Sequence, residues 1–285
     1  MDLEYSDGSK GPIQLDVAAI LSSRLGRRSR WVPRMLIRRL ERLICQNEMN
    51  EMLRVSYPRR NSEFCRAVMD HLNIKIEIKD IENMPDRNST RVIFVSNHPL
   101  GGLDGMALID FIANYYGCEP LFIINDLLMA IEPLRDVFVP VNKHGSQSRS
   151  TLAAIDEAMK GSRPVIIFPA GLCSRKRDGQ IKDLEWQKMF VQKARQWNRD
   201  IVPLRFNARN SDNFYKWANR REGLGIKFNA EMILLPGEVF KSRGKTFSIS
   251  VGKPISVASL SNDYRKETER IRNIVDSMAT DIPSK

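Results

Sequence analysis

An imidazole with a carboxylate behind it is the smallest device that takes a proton from a hydroxyl near neutral pH. The chain holds three His in 285 residues, and one of them, His98, sits just past an apolar run. Arg91-Val92-Ile93-Phe94-Val95-Ser96 reads as a buried strand. It leads into Asn97-His98-Pro99-Leu100-Gly101-Gly102-Leu103-Asp104-Gly105, and a helical apolar pattern begins at Met106. Gly101 and Gly102, between His98 and Asp104, allow the chain to fold back. The same residues also suit a tight turn with a surface His and with Asp104 capping the helix. Spacing alone leaves both readings open.

Ligands of open α/β sheets gather at the carboxyl ends of the strands, and three further segments leave strands with unusual chemistry. They run from Val139 to Arg149, from Ile167 to Arg177 and from Ile201 to Asn207. Lys143 and Arg149 follow one strand end, and Arg175 to Arg177 follow another. If both loops meet above the sheet, they form an anion site beside His98; otherwise they are solvated loops. Cys173 either acts as a nucleophile paired with His98 or packs beneath its loop. A serine nucleophile elbow, a phosphate-binding glycine loop and a dinucleotide fingerprint are all missing from the sequence. The scattered His and Cys lack metal-site spacing, so no metal and no bound cofactor is expected. Cys45, Cys65, Cys118 and Cys173 form no framework, which points to reduced thiols in a cytoplasmic setting.

The elements that must position these groups alternate. Strands are expected at 74–79, 91–96, 120–124, 137–141, 163–168, 201–206, 231–235 and 245–252. Helices are expected at 62–72, 104–116, 126–131, 149–160, 183–197, 212–221 and 261–278, with a hairpin turn at Ser242–Lys245. This rhythm predicts an α/β fold with a mixed, largely parallel sheet covered by helices. Residues 1–13 read as a polar start. Pro33 opens a helical pattern reaching about Leu53, in which Leu36, Ile37, Leu40, Leu43 and Ile44 share a stripe.

Charge is concentrated there. The net charge is +11, yet between Arg24 and Ile44 eight Arg face one acid, Glu41, a local excess of seven. With Trp31 at its entrance, this segment reads as an amphipathic helix on an anionic membrane surface, bound through Arg34, Arg38, Arg39 and Arg42. A helix packed on its own domain with solvated arginines is the alternative. A nucleic-acid module would need basic and aromatic residues interleaved over one surface rather than on one helix, so no nucleic-acid partner is expected, and a basic nucleic-acid-binding protein stands as the rival class outside enzymes. No apolar run approaches the roughly 18–20 residues of a membrane span, and the N-terminus lacks a secretory layout.

Four ordered motifs resemble the glycerolipid acyltransferases of the 1-acylglycerol-3-phosphate acyltransferase type. They are Asn97-His98-Pro99 with Gly101 and Asp104-Gly105, Val139-Pro140-Val141-Asn142-Lys143, Phe168-Pro169-Ala170-Gly171 with Ser174-Arg175, and Ile201-Val202-Pro203-Leu204. Leu235-Pro236-Gly237-Glu238 and Gly252-Lys253-Pro254-Ile255 extend the likeness to the hemolysin-like branch, which includes O-acyltransferases making ornithine and glycine lipids. The resemblance implies that His98 is the general base and Asp104 its orienting acid. It also implies that Phe168, Pro169 and Gly171 shape the acceptor site, with Lys143 and Arg175 near an anionic head group. Among the substrate-binding residues, either Asn97 or the backbone of the Gly101-Gly102 loop would stabilise the oxyanion. The donor would be acyl carrier protein or acyl-CoA, and the acceptor a lyso-lipid.

Two departures bear on that acceptor. Five residues separate His98 from Asp104, one more than is common in the family, and Ala170, Leu172 and Cys173 stand where Glu, Thr and Arg are usual. Both resemble the hemolysin-like branch and favour a lyso-aminolipid over 1-acylglycerol-3-phosphate. The expected organisation is a basic helical membrane-associating segment at 1–72 and an α/β acyltransferase domain at 73–285, peripheral on the inner face of the cytoplasmic membrane. A hydrolase using His98 with water or Cys173 is the competing enzyme class.

Overall fold

The apolar run at 92–96 forms a strand buried along its whole length, at the centre of a seven-stranded sheet. The computed structural model describes residues 11–26, 31–141, 149–226 and 228–278. Four helices come first: α1 (Val17–Leu25), α2 (Arg34–Leu43), α3 (Gln46–Ser56) and α4 (Asn61–His71). Then follow β1 (Lys75–Lys79), β2 (Val92–Ser96), α5 (Leu103–Tyr116), β3 (Leu121–Asn125), β4 (Phe138–Val141), α6 (Arg149–Lys160) and β5 (Val165–Ile167). A small hairpin of β6 (Arg175–Arg177) and β7 (Gln180–Lys182) precedes α7 (Met189–Trp197) and β8 (Asp200–Asn207). The chain closes through α8 (Asp212–Gly223), α9 (Leu235–Lys241), β9 (Thr246–Val251) and α10 (Tyr264–Ser277).

The strands lie in the order β1-β9-β8-β2-β5-β3-β4. Every neighbouring pair is parallel except β8 with β9. The expected mixed, largely parallel α/β fold is therefore the one found. Alternate residues of a strand point to opposite faces, and each face has its own core. Phe94, Ile166, Val202 and Leu204 pack with α4 and α5 on one side. Ile93, Val95, Ile167 and Ile201 pack with α6, α7 and α10 on the other. Burial on both faces explains why β2 and β8 read as continuous apolar runs rather than alternating ones. Because Phe64, Val68 and Leu72 belong to the first core, that core extends across position 72.

Several local expectations are corrected. The helix expected at 33–53 breaks at Cys45, whose left-handed backbone (φ 54°, ψ 48°) separates α2 from α3. In place of the α-helix expected at 126–131, Asp126–Ala130 form a 3-10 helix, and the helix expected from 183 begins only at Met189. The strand expected at 231–235 is helical. Ser242–Lys245 therefore joins α9 to β9 instead of turning a hairpin, and Gly244 donates its N–H to the Leu72 carbonyl. Apolar residues at 232–235 fit either period, and packing beside the 97–105 loop selects helix.

The amino end of the sheet is tied by one cation. Arg199 is wholly buried, and its guanidinium donates to the carbonyls of Ala158, Met159, Gly161, Arg163 and Val92. Three of these lie at the carboxyl end of α6, where the helix dipole favours positive charge. Burial, and then the neighbouring Arg91, push its pKa down to about 10, so it stays charged at pH 7. Arg199→Met should lower unfolding free energy by about 3 kcal/mol or more, since buried acceptors lose their donors. Urea unfolding checks this; a variant as stable as wild type would refute it.

Candidate active site

Neighbouring parallel strands deliver their loops to the same edge. β2 pairs in parallel with β5, so the 97–102 loop and the 168–174 loop emerge side by side. They are bound to each other at His98. Its carbonyl accepts from the Ser174 N–H at 2.8 Å, and its own N–H donates to Asp183 Oδ1 at 3.2 Å. The β6–β7 hairpin makes this possible. Asp178 and Gly179 both take positive φ at its turn, which suits a two-residue hairpin connection. Arg175 pairs with Lys182, so the next position outward sets Ser174 beside Asp183, with Ser174 Oγ 2.6 Å from Asp183 Oδ1.

The imidazole is held on an edge and on a face. His98 Nδ1 lies 3.0 Å from Asp104 Oδ2, and the ring stacks on Phe168 with centroids 4.1 Å apart. Asp104 is not the cap of α5; it occupies the first turn and is fully buried. Its carboxylate also accepts from the N–H groups of Leu100 (2.8 Å), Gly101 (3.3 Å) and Gly105 (3.0 Å). Burial raises its pKa, and the His98 imidazole with the Leu100 and Gly105 amides lowers it by more, leaving it net below the ordinary value. A carboxylate on Nδ1 makes that nitrogen the donor, so Nε2 is the basic one. Nε2 makes no hydrogen bond among the described residues, and His98 lines a cleft of about 2210 Å³.

Gly101 is required by its surroundings. Its φ is +83°, and a Cβ there would meet Leu235 Cδ1 at 2.8 Å. At Gly102 no such limit applies: its φ of −166° is extended and nothing lies within 4 Å.

The other expected site residues divide. Gly101, Gly102, Phe168, Pro169 and Gly171 line the cleft with His98. Asn97 does not: its carboxamide brackets β8, accepting from the Phe206 N–H and donating to the Phe206 carbonyl. Arg175 does not reach the cleft either. Its buried guanidinium pairs with Glu231 at 2.6 Å and lies over Phe214. Lys176 and Arg177 face Asp212 and Glu222. The expected anion site from Arg175–Arg177 is thus consumed by carboxylates that are remote in sequence. Residues 142–148, with Lys143 among them, lie outside the described residues.

Cys173 packs beneath the loop, fully buried, and burial pushes its thiol up to about 11 despite Arg175. A thiol so protonated is a poor nucleophile, which weakens the hydrolase reading that uses it. Sequence reasoning missed Asp183, which accepts from the His98 N–H, Ser174 Oγ and Trp186 Nε1. Burial raises its pKa, against these donors. The Asp178-Gly179 turn was the available signal, because it sets residue 183 opposite residue 174.

The cleft wall is mostly apolar, with Met52, Phe64, Phe122, Ile124, Leu134 and Phe138 along it. A model of a family described as "Acyltransferase" matches residues 19–278. The protein belongs to that acyltransferase family. It is 43% identical over 241 residues to a "Lyso-glycine lipid O-acyltransferase" of Phocaeicola vulgatus, covering 85% of this chain and 86% of that one. A protein of the same name from Bacteroides thetaiotaomicron is 41% identical over 241 residues, covering 85% and 88%. Among solved structures, the 1-acyl-sn-glycerophosphate acyltransferase PlsC of Thermotoga maritima aligns over 94% of this acyltransferase with a TM-score of 0.45 and 16% identity.

The depressed pKa of Asp104 gives its pH dependence a definite sign. Stability from the ionised carboxylate is fully present above the ordinary range, about 3.9, and is lost as pH falls through the lower folded value. Asp104→Asn should be about 1–3 kcal/mol less stable at pH 7 and should lack that part of the acid slope. Urea midpoints between pH 3 and 7 measure both, and parallel slopes for the two proteins would contradict the assignment.

Proposed function

We propose that this acyltransferase moves a fatty acyl group from the thioester of acyl carrier protein or coenzyme A to the hydroxyl of a lyso-aminolipid. His98 Nε2 takes the hydroxyl proton as the oxygen attacks the thioester carbonyl carbon. The C–O bond forms, the C–S bond breaks, and the proton passes from the imidazolium to the departing thiolate. Asp104 holds the tautomer and stabilises the imidazolium. The observation that carries this reading is the imidazole whose Nδ1 meets a buried carboxylate in the wall of a large apolar cleft. That cleft exceeds the roughly 300–1,000 Å³ of a drug-sized site, which suits a long acyl chain beside a second lipid. Gly101, Gly102, Phe168, Pro169 and Gly171 would shape its wall.

An aminolipid acceptor is supported by two relatives named lyso-glycine lipid O-acyltransferase and by Ala170, Leu172 and Cys173 in place of the family's usual Glu, Thr and Arg. His98→Ala should lower turnover by roughly 10²–10⁴, measured as labelled acyl transfer to purified lyso-lipids. Wild type should use lyso-glycine lipid in preference to 1-acylglycerol-3-phosphate. Full activity of the variant would sink the general-base role, and the reverse acceptor preference would sink the aminolipid.

Residues 1–72 would associate with the membrane chiefly through α2, on the inner face of the cytoplasmic membrane. Among the described residues no helix is long and apolar enough to cross a bilayer. No residue of α2 is buried. Trp31 is 87% and Met35 78% exposed, which fits an apolar face meant for lipid rather than for the protein's own core. Basic residues contribute about 1 kcal/mol each at an anionic surface. Exchanging Arg34, Arg38, Arg39 and Arg42 for Glu should therefore release the protein from phosphatidylglycerol vesicles in cosedimentation. Unchanged binding would return α2 to a purely structural role.

A further inference from the structure

A second apolar surface lies far along the chain from α2. Trp217 and Leu224, two helical turns apart on α8 and its C-cap, are exposed, as are Ile226, Phe228 and Ile233 in the segment that follows. Leu224 is 75% and Phe228 78% uncovered. The segment is braced. Arg221 donates to the Ile226 carbonyl at 2.7 Å, Ile226 returns its N–H to the Arg221 carbonyl, and the same guanidinium meets buried Glu231 at 2.8 Å. A braced loop that holds large apolar side chains outward, without covering them, presents them to something else.

Charge narrows the partner. Lys216 and Arg220 are exposed and form no ion pair among the described residues. The nearby acids are already matched: Glu222 by Arg177, Glu231 by Arg175 and Arg221, and Asp212 by Arg209 and Lys176. The surface is therefore apolar with a net positive rim, the composition that suits an anionic bilayer. It also leads to the cleft. Met232, Leu235 and Pro236 line the cleft, and Gly237 abuts Leu43 and Cys45 at the end of α2. Five projecting side chains fall well short of the 20–30 residues a side of a standard protein interface.

We propose that Trp217, Leu224, Ile226, Phe228 and Ile233 form a second membrane-contacting surface, with Leu224, Ile226 and Phe228 entering the boundary between head groups and acyl chains. With α2 it would hold the cleft between two lipid contacts. The proposal rests on the lipid-acyltransferase reading for its purpose but not for its test. Vesicle cosedimentation uses the full chain and membranes of phosphatidylethanolamine with phosphatidylglycerol. Leu224→Ser with Phe228→Ser should weaken binding by about tenfold or more, since two largely apolar side chains leave the lipid, while thermal stability and acyl transfer in detergent stay unchanged. Phe228→Trp should keep wild-type affinity. Equal affinity of the double serine variant overturns the proposal, as does failure of the wild type to bind vesicles. A wild-type dimer that the double variant makes monomeric, at unchanged vesicle affinity, overturns it in favour of self-association. Absence of transfer by wild type in detergent, with the vesicle result intact, supports this surface and counts against the catalytic reading alone.

Discussion

A carboxylate removed from water must find donors or give up its charge, and Asp104 finds four. Burial in a low-dielectric interior costs an isolated charge far more than folding can supply. The Leu100, Gly101 and Gly105 N–H groups and the His98 imidazole offset that cost together. The loop from 97 to 105 is the shape the chain takes to converge those donors on one acid. Gly101 supplies a positive-φ conformation (+83°) at which an added Cβ would press on Leu235. The orientation of the imidazole is thus a by-product of neutralising a buried charge.

A second acid secures the same histidine from the other side. Asp104 takes the ring, whereas Asp183 takes the main-chain N–H and shares its oxygens with Ser174 and Trp186. Their pKa values move apart because their partners differ: a basic ring stabilises one anion, and mainly neutral donors fail to offset burial for the other. Asn210, donating to the Pro99 carbonyl, and Asn97, bracketing Phe206, lock the loop to β8. The histidine is held by three neighbouring segments, none of which has to move to complete it.

The apolar surface left outside the two cores is not spread evenly. Two groups stand out among the exposed large apolar residues, Trp31, Met35, Leu36 and Leu43 at α2 and Trp217, Leu224, Ile226, Phe228 and Ile233 on and beyond α8. Tyr57, Ile81, Leu128, Ile131 and Leu152 lie apart from both along the chain. Surface of this kind is rare on a protein that meets only water. Its position around one cleft, together with the basic residues beside it, is what supports the proposed lipid contacts; among the described residues no helix is long and apolar enough to cross a bilayer.

The sequence by itself determined the α/β class and the strands expected at 91–96 and 201–206. It offered His98 and Asp104 as candidates, whose pairing the structure then decided over a surface His and a capping Asp. Apolar runs buried on both faces and a glycine-punctuated loop after a strand are local properties, and local properties survive in one dimension. The Asp178-Gly179 turn was a local signal that went unread, so Asp183 fell within an expected helix and was missed. Other features depended on contacts remote in sequence. Helix rather than strand at 231–235 was chosen by packing beside the His98 loop. The inward turn of Arg175 was chosen by Glu231, 56 residues away. That β5 rather than β3 lies beside β2, bringing Phe168 onto the imidazole, followed from the pairing order of the sheet. Only the tertiary structure decided these, because a buried ion pair or a strand neighbour is selected by burial and charge in three dimensions, which spacing along a chain does not encode.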